Sequence, residues 1–282
     1  MRRAMVIMVA VLAALAAQAQ GRTVHDEFDF VMYLIGHTMR DDAVIAVERT
    51  ALTGDSIDFL KGYAYYNARR LDSAAAAFGR VGEGSPLFAE AMLFASISDA
   101  HLGRYGQAAD HLAHITSADA QTSNMVSYEL AGLRLLQRDY DAFDALMAAT
   151  DTSDYRIASE AANLLQVRHT LADRGRRSPW VAGTLSALVP GLGKVYAGNL
   201  GEGLAAFLVT GSLMAVTAEN WIKEGPTNWK TIAAGVLSAV FYVGNIYGSV
   251  ATVKVNLHDF NQRNDVQILY DIHIPLRTGY RR

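Results

Sequence analysis

Two groups of residues have types and spacings that could do chemistry. The first is the string Ser186-Ala187-Leu188-Val189-Pro190-Gly191-Leu192-Gly193-Lys194-Val195-Tyr196-Ala197-Gly198, followed by Gly201-Glu202-Gly203. Glycines beside a lysine are the raw material of a phosphate cradle, but a P-loop needs glycine five residues before the Gly-Lys glycine and Ser or Thr after the lysine. Leu188 and Val195 occupy those places, so phosphate chemistry fails. A dinucleotide fingerprint needs a third glycine where Tyr196 stands and a strand before it. Lys194 and Tyr196 could still meet lipid headgroups or a partner. The second group is His101, His111 and His114, the last two three residues apart on one helix, where imidazoles could ligate zinc. A solvated helix face explains them as well, and the expectation is no metal and no cofactor. No Ser-His-Asp spacing, His-Glu-x-x-His string or paired carboxylates stand out. With 0 cysteines, disulfides, thiolate metal sites and cysteine nucleophiles are excluded.

The elements that must position these residues fall into three stretches of unlike character. The 282 residues carry 25 Lys+Arg against 28 Asp+Glu, a formal net charge of -3, which removes the basic field a nucleic-acid binder needs. A 51% hydrophobic composition with mean hydropathy +0.11 averages over segments suited to different solvents. At the start, Met1, Arg2 and Arg3 precede the uncharged run Ala4 to Ala17, and Ala17-Gln18-Ala19 forms an A-x-A cleavage pattern. Residues 1–19 therefore predict a secretory signal, with the following domain outside the cytoplasm.

From about residue 22 to 175 the apolar residues have helical periodicity. Three segments align at a period of 34: Ala74 with Phe78, Ala108 with Leu112, and Ala142 with Leu146. A small residue lets the second helix of a hairpin approach the first, and the large residue one turn later fills the gap. Gly62, Tyr65 and Pro86 frame the first unit. With Ala74 and Phe78 they stand at consensus spacing, and the stretch resembles the tetratricopeptide repeat. The later units are degenerate, with Ser96 and Asp99 where Gly and Tyr are expected and Tyr140 one place late. A hairpin from about Glu27 to Leu52 and a helix from about Tyr155 to Ala172 are expected at the two ends of the stack. The resemblance implies a groove for a protein or peptide partner.

Residues 178–256 read as a membrane hairpin. Thr231 to Val253 is 23 residues without a charge, spanning ~35 Å as a helix, and Gly203 to Ala218 adds 16 apolar or small residues. A shorter run from Trp180 to Gly193 is broken by Pro190. Trp180, Trp221 and Trp229 stand at the edges of these runs, as in an aromatic belt. Gly244 with Gly248, and Gly211 with Ala215, are small-x-x-x-small pairs expected to pack helix on helix or to build a homo-oligomer. Pro190, Gly191, Gly193, Lys194, Tyr196, Gly198 and Gly203 give the string a resemblance to the signature of membrane hairpins related to the TM2 family. Thr231 to Val253 lacks the Asp that many of those carry. In residues 257–282, Val266 to Ile274 alternates enough to predict a short strand.

The expected fold class is all-α, a tetratricopeptide-like helical hairpin solenoid followed by a transmembrane hairpin. The expected role is a scaffold or protein-binding module in a bacterial inner membrane, with the repeat domain in the periplasm, acting in envelope assembly or membrane-protein biogenesis. Its expected partners are a protein or peptide and membrane lipid, and no nucleic acid. The rival is a small membrane enzyme or transporter component working at Pro190 to Gly203.

Overall fold

In a computed structural model, residues 23–116, 119–175 and 177–279 are described. The signal expected at residues 1–19 lies outside them. Among the described residues the chain forms thirteen α-helices and no strand. The first nine are α1 (Val24–Gly36), α2 (Arg40–Arg49), α3 (Asp55–Asn67), α4 (Leu71–Phe78), α5 (Phe88–His101), α6 (Tyr105–Ala113), α7 (Ala120–Leu136), α8 (Tyr140–Ala149) and α9 (Ala158–Ala172).

One turn design recurs four times in this series. Thr38, Arg69, Gly103 and Arg138 all have positive φ, and each lies two residues before the first residue of the next helix. In each turn the second residue's N–H reaches back five places: Met39 to the Leu34 carbonyl, Arg70 to Tyr65, Arg104 to Asp99, and Asp139 to Arg134, at 2.9 Å in every case. This is the Schellman arrangement, which satisfies the last carbonyls of one helix while reversing the chain. Three of the four residues are not glycine, so the left-handed conformation costs roughly 1 kcal/mol at each. Thr38, β-branched at φ 62, is the least suited.

The turns fold the helices back in pairs: α1 on α2, α3 on α4, α5 on α6 and α7 on α8. The odd-numbered helices also touch their next-but-one neighbours, α1 with α3, α3 with α5 and α5 with α7, and so form one layer. Between the layers, Ala74, Phe78, Ala108 and Leu112 are buried, and a Cβ on Gly62 would come within 2.6 Å of the Phe78 ring. The Phe78 ring stacks on Phe94 and meets Phe59 edge-on, each with centroids 5.5 Å apart. Tyr65 stays partly exposed and donates to Glu48 at 3.3 Å. In the third aligned segment Ala142 and Leu146 are only half-buried, and the enclosed pair is Phe143 with Met147. The cause is the turn: α4 and α6 start 34 residues apart but α8 starts 35 after α6, so the buried face moves on by one residue.

The remaining helices are α10 (Pro179–Leu188), α11 (Leu192–Tyr196), α12 (Leu200–Glu224) and α13 (Trp229–Gly279). Two compact units result, Met1–Arg168 with Ile268–Arg282, and His169–Gln267. Two helices, Leu200–Glu224 in the second unit and Trp229–Leu276, which lies in the second unit as far as Gln267, are long and apolar enough to cross a membrane by length and composition. Their apolar side chains face outward, with Leu208 64%, Ile222 83% and Val243 63% exposed.

The strand expected over Val266 to Ile274 is corrected to helix, the last part of α13. Ile268, Asp271, Ile272, Pro275 and Leu276 are buried while Val266, Gln267 and Tyr270 are exposed. That spacing of 3, 1, 3 and 1 is the period of a helix, and the alternation of β-branched residues across it is coincidental.

Candidate functional site: a groove that holds a helix

The layer of odd-numbered helices presents its inner face to residues 268–276, all within the first unit. Four helices contribute. From α3, Tyr66 shares a hydrogen bond with His273 Nδ1 and stacks on its ring at 5.5 Å. From α5, His101 meets the same ring edge-on at 6.1 Å. From α7, the Tyr128 hydroxyl donates to the Asp271 carbonyl at 3.2 Å, and Gly132 lies under Ile272. From α9, Asn163 Nδ2 donates to Asp271 Oδ1 at 3.3 Å.

Two of these contacts depend on particular residue types. Pro275 lies inside α13 and has no N–H to give to the carbonyl four residues earlier, that of Asp271. Tyr128 donates to that same carbonyl. Burial, with Asp271 second, raises the Tyr128 phenol above its ordinary value, so it stays a proton donor. At Gly132, an added Cβ would sit 3.6 Å from the Ile272 Cβ and well inside contact distance of its Cγ2. Only a residue without a side chain lets Ile272 seat there.

Two buried ionisable groups flank this face. Glu129 follows Tyr128 on α7 and is 1% exposed, and its Oε1 has no hydrogen-bond partner. Burial drives its carboxyl well above the ordinary range, and the Ser96 hydroxyl opposes this only in part. Its protonated form is favoured to higher pH than an ordinary glutamate's. His101 is pushed down by burial and then by the Arg69 charge, which keeps it neutral.

The other histidines go elsewhere. His111 Nε2 pairs with Asp99 at 3.1 Å, and Arg104 reaches Asp99 at 3.4 Å and also pairs with Asp72. His111 and His114 line a cleft of about 490 Å³ together with Arg80 and Asp110. Among the described residues no group of three His, Asp or Glu is placed to hold a metal.

The glycine string packs backbone against backbone. Gly191, at φ +86, and Gly193 each leave no room for a Cβ, which would strike the Gly203 and Ala182 carbonyls respectively. Gly203 closes on Val195 and on the Gly191 carbonyl, and Gly198, at φ +101, lies under Arg177. The Gly193 N–H donates to Ser186 Oγ at 2.9 Å, and that oxygen shares a hydrogen bond with Ser249 at 2.7 Å. Tyr196 accepts from the Ser178 N–H at 3.0 Å, and Lys194 pairs with Glu202 at 3.7 Å. Pro190 ends α10. Main chain fills the space directly beside Gly191 and Gly193.

Gly244 has open space around it, Gly248 meets only the Lys194 stem, and Gly211 has no neighbour. Within the chain's described residues, no other helix closes on Gly211 or Gly244. Instead Thr217 and Ser238 share a hydrogen bond at 2.9 Å, and Gly235 meets the Thr217 methyl at 3.6 Å.

The groove residues Tyr66, Tyr128, Gly132, Asn163, Asp271, Ile272, His273 and Pro275 were not singled out from sequence. One signal for them exists, the Ile268, Ile272, Leu276 spacing ahead of the chain's last residues. No family model, curated protein or solved structure matches the chain.

Proposed function

We propose that the chain is a membrane-tethered helical scaffold. Tetratricopeptide-like hairpins hold a groove for a helical peptide or protein partner, and α12 with the apolar part of α13 anchors them in a bilayer. The observation that carries this reading is that α3, α5, α7 and α9 converge on a single helical segment, so the inner face already has the shape and polar groups to take a helix. Four identical Schellman turns support the repeat. Outward-facing apolar side chains on two long helices support lipid as their solvent.

A topological constraint favours two full crossings. Residues 66–163 and 268–276 pack in one unit and must lie on the same side of a membrane, so the stretch between them crosses it an even number of times. With a secretory signal at residues 1–19, that side is the periplasm of a bacterial inner membrane, and the role lies in envelope assembly or membrane-protein biogenesis.

The test uses the cysteine-free background. Single cysteines at Glu83 and at Thr227, both exposed, are labelled in intact cells with a membrane-impermeant maleimide. Glu83→Cys reacts and Thr227→Cys reacts only after lysis. Labelling of both in intact cells sinks the two-crossing reading, and recovery of the chain in the soluble fraction sinks the tether.

A further inference from the structure

We propose that residues 268–276 are a displaceable occupant of the groove, and that the partner which displaces them is a helix of the same chemistry. Its marks are aliphatic residues at i, i+4 and i+8, and a proline placed four residues after the carbonyl that Tyr128 reads. The inference rests on the groove reading above and names the partner class for that site.

The segment depends on the groove for its conformation. Pro275 is the residue least suited to a helix interior, and β-branched Ile268, Ile272 and Ile274 lower its helical propensity further. Ile268, Ile272 and Leu276 are each at most 1% exposed, so nearly all of their burial comes from this packing. Asp271 is fully buried, with Asn163 donating to its carboxyl and Tyr128 to its carbonyl. Released into water, the segment loses its apolar contacts and its replacement for the hydrogen bond that Pro275 removes, so occupancy and helical order are one event.

Nothing the groove offers is specific to a tethered chain. The Tyr128 hydroxyl reads a main-chain carbonyl, Gly132 accepts a β-branched methyl, and the Tyr66 ring offers a stacking face. A second helix with this pattern meets Tyr128 and Gly132 as residues 268–276 do, and with an acidic residue at i+3 and a histidine at i+5 it also meets Asn163 and Tyr66. The advantage of the resident segment is its covalent connection, which gives an effective concentration on the order of millimolar. An outside helix is therefore weakened by the fraction of time the groove stands open.

The probe is a fluorescein-labelled synthetic peptide with the sequence of residues 262–279, titrated against the full chain in detergent. Ile272→Asp in the chain places a charge in the apolar seat and frees the groove without altering it. This variant is expected to bind the peptide at least about tenfold more tightly than the unsubstituted chain. Equal binding by both means that the groove stands open and overturns the inference. Absence of binding by an Ile272→Asp chain whose α3, α5 and α7 keep their amide protection makes residues 268–276 a fixed structural element and also overturns it. A second measurement needs no variant: saturating peptide added to the unsubstituted chain is expected to raise amide exchange at residues 268–276 while α3 and α5 stay protected, and unchanged exchange refutes displacement.

The scaffold reading fails separately. Cysteines at Gly132 and Ile272 have Cβ positions 3.6 Å apart, within the roughly 3.5–4.5 Å range of a disulfide. If the chain locked by this bridge crosslinks in cells to the same neighbouring proteins as the unsubstituted chain does, those proteins do not bind in the groove, whatever the peptide does.

Discussion

Substituting Gly132 by alanine sets two effects of opposite sign against each other. Gly132 lies in the interior of α7, and helix propensity alone makes Gly132→Ala stabilising by about 0.5–1 kcal/mol. Packing predicts the reverse. The new methyl would lie 3.6 Å from the Ile272 Cβ, the closest distance at which two carbons rest comfortably, and the Ile272 Cγ2 projects into the gap between them. Ile272 cannot swing aside cheaply, because a β-branched side chain in a helix has essentially one χ1 rotamer. Overpacking of this kind costs roughly 1–3 kcal/mol, whereas expelling the segment forfeits the burial of Ile268, Ile272 and Leu276 at roughly 1.5–3 kcal/mol each. The chain takes the smaller penalty, and the net expectation is a loss of about 1–2 kcal/mol. Denaturant melts of the first unit's transition give the magnitude, and amide exchange at residues 268–276 gives the location. Ile272→Leu moves the branch off Cβ at nearly constant volume, so the alanine costs less in that background. A Gly132→Ala chain that is more stable than the original, with exchange at 268–276 unchanged, refutes the packing account.

Other expectations follow from the same contacts and turns. Tyr128→Phe removes the donor to the Asp271 carbonyl and costs about 1 kcal/mol, but much less beside Pro275→Ala, which restores an intrahelical donor; additive costs in the double-mutant cycle would detach Tyr128 from Pro275. Because burial raises the Glu129 carboxyl, the folded chain holds a proton there that the unfolded chain has lost, so stability falls as pH rises above the ordinary glutamate value. Glu129→Gln removes that slope and is the more stable chain at pH 7, with the two melting curves converging in acid; parallel pH profiles would count against a protonated Glu129. Thr38→Gly relieves a β-branched residue at φ 62 and gains up to about 1 kcal/mol, read as a higher melting temperature.

The parts of the fold visible in sequence are those where side-chain size carries the information. Gly62 with Phe78, and Ala108 with Leu112, announce their packing because a gap and its filler must stand at fixed offsets. The register slip at α8 does not announce itself: one additional residue before Tyr140 moves the buried face from Ala142 and Leu146 to Phe143 and Met147. Nor do the turns at Thr38, Arg69 and Arg138, where the left-handed conformation is imposed by the hairpin on residues that do not favour it. The groove was least legible. Its occupant is rich in β-branched residues and contains a proline, and both features mark a helix only when a tyrosine from 143 positions away supplies what the proline removes. The glycine string was conspicuous for a reason unrelated to reactivity, since Gly191 and Gly193 are small so that main chain can fill the place beside them.

The contact between Tyr66 and His273 joins residues 207 positions apart, with α12 and the apolar part of α13 between them. During synthesis the helices of the first unit emerge well before that contact can form, and their inner face spends this interval uncovered. The covering segment is made only after α12 and the apolar part of α13, so on the two-crossing reading proposed above closure of the groove would record that the intervening hairpin has been threaded and has returned the chain to its starting side. On that reading a half-inserted hairpin would strand residues 268–276 across the bilayer, and the first unit would then display an open apolar face to whatever surveys unfinished chains.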